Sequence, residues 1–299
     1  MKQRAQIALL PDGRRLHLQD GPIDLIIEAF GARREVEQTY NAACSRFVSV
    51  LDELCSELNY LRAECRPENR WPRGKVARRM TAAVMPYASQ YFITPMAAVA
   101  GAVAEEILGA MTEAGKIVRA YVNNGGDIAV HLGEREQFVV GMVERPDRPS
   151  LFGTATLSAS HPVRGIATSG RRGRSFSLGI ADAVTVLADR AAAADAAATI
   201  IANAVDLPRH PAIVRVPASE LAPDSDLGDR LVTQAVGALT TREVNEALAA
   251  GVKTAALMQR MGLIRTAALS LNGETRVLHD GLELSTLVTR VEERGLVHA

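Results

Sequence analysis

The stretch Asn123-Asn124-Gly125-Gly126-Asp127-Ile128 lies between two segments whose apolar residues alternate, Ile117 to Val122 and Asp127 to Leu132. Val118, Ala120 and Val122 share one face, as do Ile128, Val130 and Leu132, because successive strand side chains point to opposite sides. Two glycines free to take positive φ then predict a hairpin or tight loop. Further strand patterns follow at Gln137 to Val143, Gly153 to Ala159, Gly165 to Thr168 and Ala183 to Ala188. Near the start, Gln6 to Leu10, Arg15 to Gln19 and Ile23 to Ala29 read as strands separated by Pro11-Asp12-Gly13 and Asp20-Gly21-Pro22. Asn272-Gly273 turns a last hairpin between Ile264 to Leu271 and Glu274 to Leu278. A sheet dominates the chain.

Helices interrupt the strands. From about Asn41 to Ala63 the residues Phe47, Leu51, Leu54, Cys55, Leu58 and Leu61 follow a 3.6-residue repeat. Thr94-Pro95 predicts a capped helix start running to about Met111, and its first half, Ala97 to Ala102, has almost no side-chain bulk. A sheet, another helix or a ligand can therefore approach that backbone closely. The helix from about Asp189 to Val205 is alanine-rich, and Thr240-Thr241-Arg242-Glu243 supplies a capping box for a helix ending at Gly262. With 299 residues, 47% apolar and 23% charged, the chain can bury a full core as one large domain or two.

Lys plus Arg and Asp plus Glu both number 34, so no net field draws the chain to nucleic acid or an anionic membrane, and neither is an expected partner. Cys44, Cys55 and Cys65 include no C-x-x-C pair and read as buried free thiols of a reducing compartment. The apolar run in MKQRAQIALLPDGRR is too short for a secretory core, and the run from Pro95 to Ala104 is too short to span a bilayer. A cytoplasmic location is expected.

Several groups of residues can carry chemistry. Asp195, Thr199 and Asn203 recur at i, i+4 and i+8 among methyl-sized neighbours, so they share one helix face. Oxygen ligands so placed suit a hard cation such as Mg²⁺, which keeps water and takes one or two carboxylates. The same spacing also serves a ligand-free helix, with Asp195 complementing the macrodipole and Thr199 returning its hydroxyl to a carbonyl. The Gly125-Gly126 turn can converge backbone N–H groups into an anion nest or be a plain hairpin. Thr168-Ser169-Gly170 ends a strand with two hydroxyls and a glycine, able to hold a phosphate or a ring carbonyl. Arg164, Arg171, Arg172 and Arg174 around it form either a clamp for an acid group or a solvated basic turn. The basic loop RPENRWPRGKVARR, from Arg66 to Arg79, holds an anion or is an ordinary solvated excursion. His17 and His131 sit on strands as structural residues or as an acid and base. G-x-S-x-G, G-x-G-x-x-G and P-loop patterns are absent.

In this order, Asn123 to Ile128, Thr168 to Gly170, Val184-Thr185-Val186 and the Ala194-Asp195-Ala196-x-x-Thr199 segment resemble the signature of the ApbE superfamily, whose founders are FAD:protein FMN transferases. The resemblance covers roughly residues 94 to 206. It implies an α+β fold with a mixed or antiparallel sheet flanked by helices, taken as one domain over residues 1–299. It further implies Mg²⁺ on Asp195 and Thr199, and FAD or FMN lined by Asn124, Gly125, Gly126, Asp127, Thr168, Ser169, Gly170 and Arg171.

Two family elements are missing. Val99-Ala100-Gly101-Ala102 stands where the transferases have a helix start ending in Ala-Lys-Gly, and residues 174–182 replace their His-x-x-Asp-Pro segment. Together with Gly21-Pro22-Ile23-Asp24-Leu25, this resembles a cytosolic ApbE-related branch of bacteria and archaea. The expectation is an ApbE-like protein that binds a phosphate- or carboxylate-bearing small molecule with Mg²⁺, as a metal-assisted transferase or hydrolase. Protein flavinylation and ligand binding without catalysis are the alternatives, and a homodimer stays open.

Overall fold

A computed structural model describes residues 4–143, 151–278 and 284–286 of the chain. The single-domain expectation also covers stretches outside these residues. Two compact units are distinguished. The first holds residues up to Phe138 with Leu157–Ile166 and Asp189–Ala193; the second holds Val139–Thr156, Ala167–Ala188 and residues from Ala194 on.

The first unit begins with strands β1 (Gln6–Leu9), β2 (Leu16–Asp20) and β3 (Ile23–Phe30). Helices α1 (Arg33–Ser56), α2 (Leu58–Arg62), α3 (Lys75–Val84) and α4 (Val99–Ala114) follow, then β4 (Arg119–Asn124) and β5 (Asp127–Leu132). Its strands are hydrogen-bonded in the order β1-β2-β3-β4-β5, every pair antiparallel. Leu18, Leu25, Ile27 and Val122 are wholly buried on the sheet, and Phe47, Ile107 and Met111 on the helices. Strands β6 (Gln137–Val143), β7 (Leu151–Ser158) and β8 (Gly165–Ser169) divide their residues between the units, and β5 pairs antiparallel with Gly165 and Ile166.

The second unit carries β9 (Ala183–Ala188) and most of α5 (Ala191–Ala204). It continues with β10 (Ile213–Pro217), α6 (Ala218–Leu221), β11 (Leu231–Val236), α7 (Thr241–Arg260), β12 (Thr266–Leu271), β13 (Glu274–Val277) and β14 (Leu284–Thr286). Strand β12 lies antiparallel between β9 and β13, β10 pairs with β11, and β14 pairs with β7. The architecture is the α+β class the sequence implied, with antiparallel sheets and flanking helices.

Local differences from expectation have identifiable causes. Helix α1 starts at Arg33 and breaks after Ser56, rather than running from Asn41 to Ala63. At the break, the Glu57 carboxylate accepts the backbone N–H groups of Arg73 and Gly74, both at 2.7 Å. An acidic side chain thus sits at the start of α3, where the helix dipole favours it, and closes the basic loop internally. Cys55 is exposed, correcting its expected burial, because the face of α1 that packs inward runs through Thr39, Ala43, Phe47, Val50 and Leu54. Cys65 is buried, Cys44 half-buried, and all three are free thiols. Pro95 opens a 3-10 turn, 95–98, with no capping bond from Thr94, and α4 follows it.

Ala191 is a crossing point. A Cβ on Gly101 of α4 would lie 2.4 Å from the Ala191 carbonyl oxygen, and one on Gly165 of β8 only 2.2 Å from its nitrogen. The small residues expected to permit a close approach admit backbone, with no room for a side chain. The capping box on α7 forms as read, with the Thr240 hydroxyl accepting the Glu243 N–H and the Glu243 carboxylate accepting the Thr240 N–H. No described helix is long and apolar enough to cross a membrane.

Candidate functional site

The residues singled out by sequence fall in both units: Asn124 to Asp127 in the first, and Thr168 to Arg171, Asp195 and Thr199 in the second.

In the first unit, Asn124 pairs with Asp127, leaving Gly125 and Gly126 as a two-residue turn with φ of +64° and +110°. Two positive φ values match the twist of an antiparallel pair, which is why glycine is required at both places. The Asn123 side-chain oxygen accepts the Gly126 N–H at 2.8 Å. Of the two readings of this turn, nest or plain hairpin, that bond fits the hairpin, because one of the converging donors is already committed within the chain. Asn124 is buried and its Nδ2 donates to the Ala100 carbonyl at 3.1 Å, tying the hairpin to the first turn of α4.

In the second unit, β8 delivers Thr168 and Ser169 to a tight turn. The Thr168 and Thr185 hydroxyls lie 2.9 Å apart, which brings two of the signature segments together. Gly170 takes φ +150°, and a Cβ there would be 2.6 Å from the Asp182 carbonyl oxygen. Arg171 then donates its N–H to the Ala181 carbonyl at 2.9 Å. Its guanidinium meets the Asp182 carboxylate at 2.5 Å, and Arg172 Nε meets the same oxygen at 2.6 Å. The other Asp182 oxygen accepts the Asn272 N–H at 2.6 Å. Two of the four arginines therefore clamp an acid group belonging to the chain itself. Arg164, in the first unit, donates to the carbonyls of Ala159, His161 and Val163. Sequence reasoning did not single out Asp182, since an isolated aspartate before a strand carries no periodicity or spacing signal.

Helix α5 has nearly every alanine buried, while Asp195, Thr199 and Asn203 along one side are half-buried. Asn203 is a correction to the three-oxygen row. Its Oδ1 accepts the Leu178 N–H at 2.9 Å and the Ser177 hydroxyl at 3.4 Å, so both lone-pair directions hold residues 177–178 against the helix. Gly179 permits that approach, since a Cβ there would be 2.2 Å from the Ala202 carbonyl oxygen. Thr199 differs from two other helical threonines, Thr81 and Thr254. Those two return their hydroxyls to the carbonyl four residues earlier. Among the described residues no such bond is made by Thr199, nor any side-chain bond by Ser169. No group of three or more His, Cys, Asp or Glu able to hold a metal occurs among the described residues. A cation here would rest on Asp195, the Thr199 hydroxyl, water and ligand oxygens, a donor set that fits Mg²⁺.

His17 bonds Asp24 at 2.9 Å. His131 is half-buried, and burial lowers its pKa while a bond to the Ile117 backbone opposes the shift.

A family described as AbpE bacteria matches residues 7–277. The chain belongs to this family. It is an ApbE-like superfamily member, as the signature segments implied. It is 42% identical over 129 residues to the UPF0280 protein of Methanopyrus kandleri, covering 43% of this chain and 48% of that one. It is 34% identical over 186 residues to the UPF0280 protein of Methanosarcina acetivorans, covering 62% and 65%. The chain spans about half the length of the first curated relatives it matches. Among solved structures, the Pseudomonas stutzeri flavinyl transferase ApbE in its apo form aligns over 95% of this chain and 94% of that one, at 12% identity and a TM-score of 0.40.

Proposed function

We propose that this ApbE-like chain binds a phosphate- or carboxylate-bearing small molecule, with a flavin nucleotide as the first candidate, together with Mg²⁺ on Asp195 and Thr199. The observation that carries this reading is the Thr199 hydroxyl, half-buried one turn from Asp195 and making no side-chain bond among the described residues. Near the end of β8, the Ser169 hydroxyl, which makes no side-chain bond among the described residues, would supply a donor for a phosphate or ring carbonyl. The Arg171–Asp182 pair positions the turn that follows it. Mg²⁺ would supply charge stabilisation on transferred phosphoryl oxygens. The chain's own residues would bind and orient: Asp195 as the anionic ligand, Thr199 as a neutral oxygen beside it, and the β8 end holding the organic part.

This reading extends to metal-assisted transfer or hydrolysis at a diphosphate. Protein flavinylation, the activity in the name of the Pseudomonas stutzeri neighbour, is the second form of the same chemistry. Mg²⁺ titration of the full chain, with and without FAD, tests the binding step. Binding heat or a thermal shift that Asp195→Ala abolishes is expected. No heat and no shift in either condition, with Asp195→Ala behaving as the parent chain, overturns the metal reading. AMP release from FAD separates catalysis from binding alone.

A further inference from the structure

A second polar site lies in the first unit, away from the residues proposed to hold Mg²⁺. An open cleft of about 350 Å³ is bounded by α4, by Ala129 to His131 of β5, by Arg164, and by Asp189 and Arg190. That volume is at the small end of metabolite-binding clefts, which begin at roughly 300 Å³.

Charge within the cleft is unevenly answered. Three guanidinium groups, Arg79, Arg164 and Arg190, line it together with two carboxylates, Glu105 and Asp189. Glu105 is fully engaged. It pairs with Arg79 and with Arg190, each at 3.0 Å, and its other oxygen accepts the Ala192 N–H at 2.9 Å. Arg79 is also tied to Glu106 at 2.8 Å. Arg164 stands apart from that network, because the three groups its guanidinium donates to are carbonyl oxygens, of Ala159, His161 and Val163. Neutral acceptors fix the orientation of the fork without cancelling its charge. Burial opposes the Arg164 cation, and Asp189 acts on it in the favourable direction through space. A guanidinium has five N–H donors, so three such bonds leave two for a ligand. His131 lies in the same cleft with its ring bonded to the Ile117 backbone.

We propose that this cleft binds a small oxyanion, phosphate or carboxylate, borne by a metabolite-sized ligand and anchored by two N–H groups of Arg164. A rigid cation already held by neutral groups pays little further ordering entropy when an anion docks, and a charge-assisted fork is the strongest two-point contact a planar oxyanion can find. The site is independent of Asp195, Thr199 and Mg²⁺, so its failure and that of the metal reading are separately observable.

The test titrates inorganic phosphate and, separately, acetate into the full chain in a metal-free buffer lacking other oxyanions, following the histidine ring resonances by NMR. Saturable movement of the His131 signals with at least one anion, and not of the His17 or His210 signals, supports the site and assigns the anion class. Arg164→Gln should weaken that binding tenfold or more, and Arg190→Gln, on a largely exposed side chain, a few-fold. No saturable His131 shift with either anion overturns the proposal, as does unchanged affinity in a folded Arg164→Gln variant. Should Arg164→Gln fail to fold, the parent titration and Arg190→Gln decide: unchanged affinity in Arg190→Gln then counts against the site.

Discussion

The Gly125-Gly126 turn of the first unit and the Asp195/Thr199 face of the second are both parts of the family signature, yet they use their polar groups in opposite ways. In the turn, Asn123 holds the Gly126 N–H and Asn124 holds the Ala100 carbonyl, so the side chains build the hairpin and dock it on α4. On α5, Asn203 is engaged in the same structural manner, but the Thr199 hydroxyl one turn earlier is not. The signature thus mixes residues whose polar groups are tied into the scaffold with residues whose polar groups make no side-chain bond among the described residues. Substitutions in the first group should cost stability, and those in the second should cost binding alone.

The largest loss is expected at Asp182, which is buried and takes Arg171, Arg172 and the Asn272 N–H. Asp182→Ala leaves two partly buried guanidinium groups without their carboxylate, a change that costs about 3–5 kcal/mol. Urea denaturation of the full chain measures it; a loss below about 1 kcal/mol would show that the turn after β8 is held by its backbone bonds instead. Asn124→Ala comes next. Removing the amide takes that donor from the part-buried Ala100 carbonyl, for a loss of about 1 kcal/mol with no change in Mg²⁺ affinity. A weakened Mg²⁺ response in that variant would move Asn124 from scaffold to binding site.

Acid should act on the scaffold of both units. Burial pushes Glu106 up, but the hydrogen bonds and charges of Arg46 and Arg79 outweigh it and hold the carboxyl below its ordinary value of 4.5. Glu243 is lowered to about 2 by the Thr240 N–H, then by His210 and the Thr240 hydroxyl. Both pKa values are depressed in the folded chain, so their stabilisation is complete above the unfolded value and is lost as pH falls through the folded one. Thermal midpoints should fall as pH drops from about 5 towards 2, and Glu243→Gln should flatten part of that slope. A slope unchanged in Glu243→Gln would assign the acid sensitivity to other carboxylates.

Much of the backbone was readable because its causes are local. Strands β5, β6 and β9 have the bounds that alternation and apolar runs gave, and the capping box of α7 is a four-residue pattern with its own geometry. The β10–β11 ribbon was not readable: its pairing joins Ile213–Pro217 to Leu231–Val236, with a register shift after Val214 that breaks the two-residue period. Partnership between distant polar groups was equally hidden. Spacing placed Asp195, Thr199 and Asn203 on one face, but only the chain's return at 177–178 shows that Asn203 is already engaged. Likewise, nothing in Glu105-Glu106 announced that one carboxylate would cap α5 while the other gathers Arg46, Lys75 and Arg79.

The smallest stability change is expected where the comparison is sharpest. Thr199→Val preserves the β-branched shape and replaces a half-exposed hydroxyl that makes no side-chain bond among the described residues, so unfolding free energy should move by no more than about 0.5 kcal/mol. If Thr199 is a metal ligand, the same variant should weaken the Mg²⁺ response several-fold, because Mg²⁺ demands near-octahedral oxygen ligation and a methyl group cannot supply it. The paired measurement is a urea curve and a Mg²⁺ titration on one preparation. Stability retained with binding reduced places Thr199 on the ligand-facing side of the division, whereas stability lost with binding retained returns it to the scaffold beside Asn203.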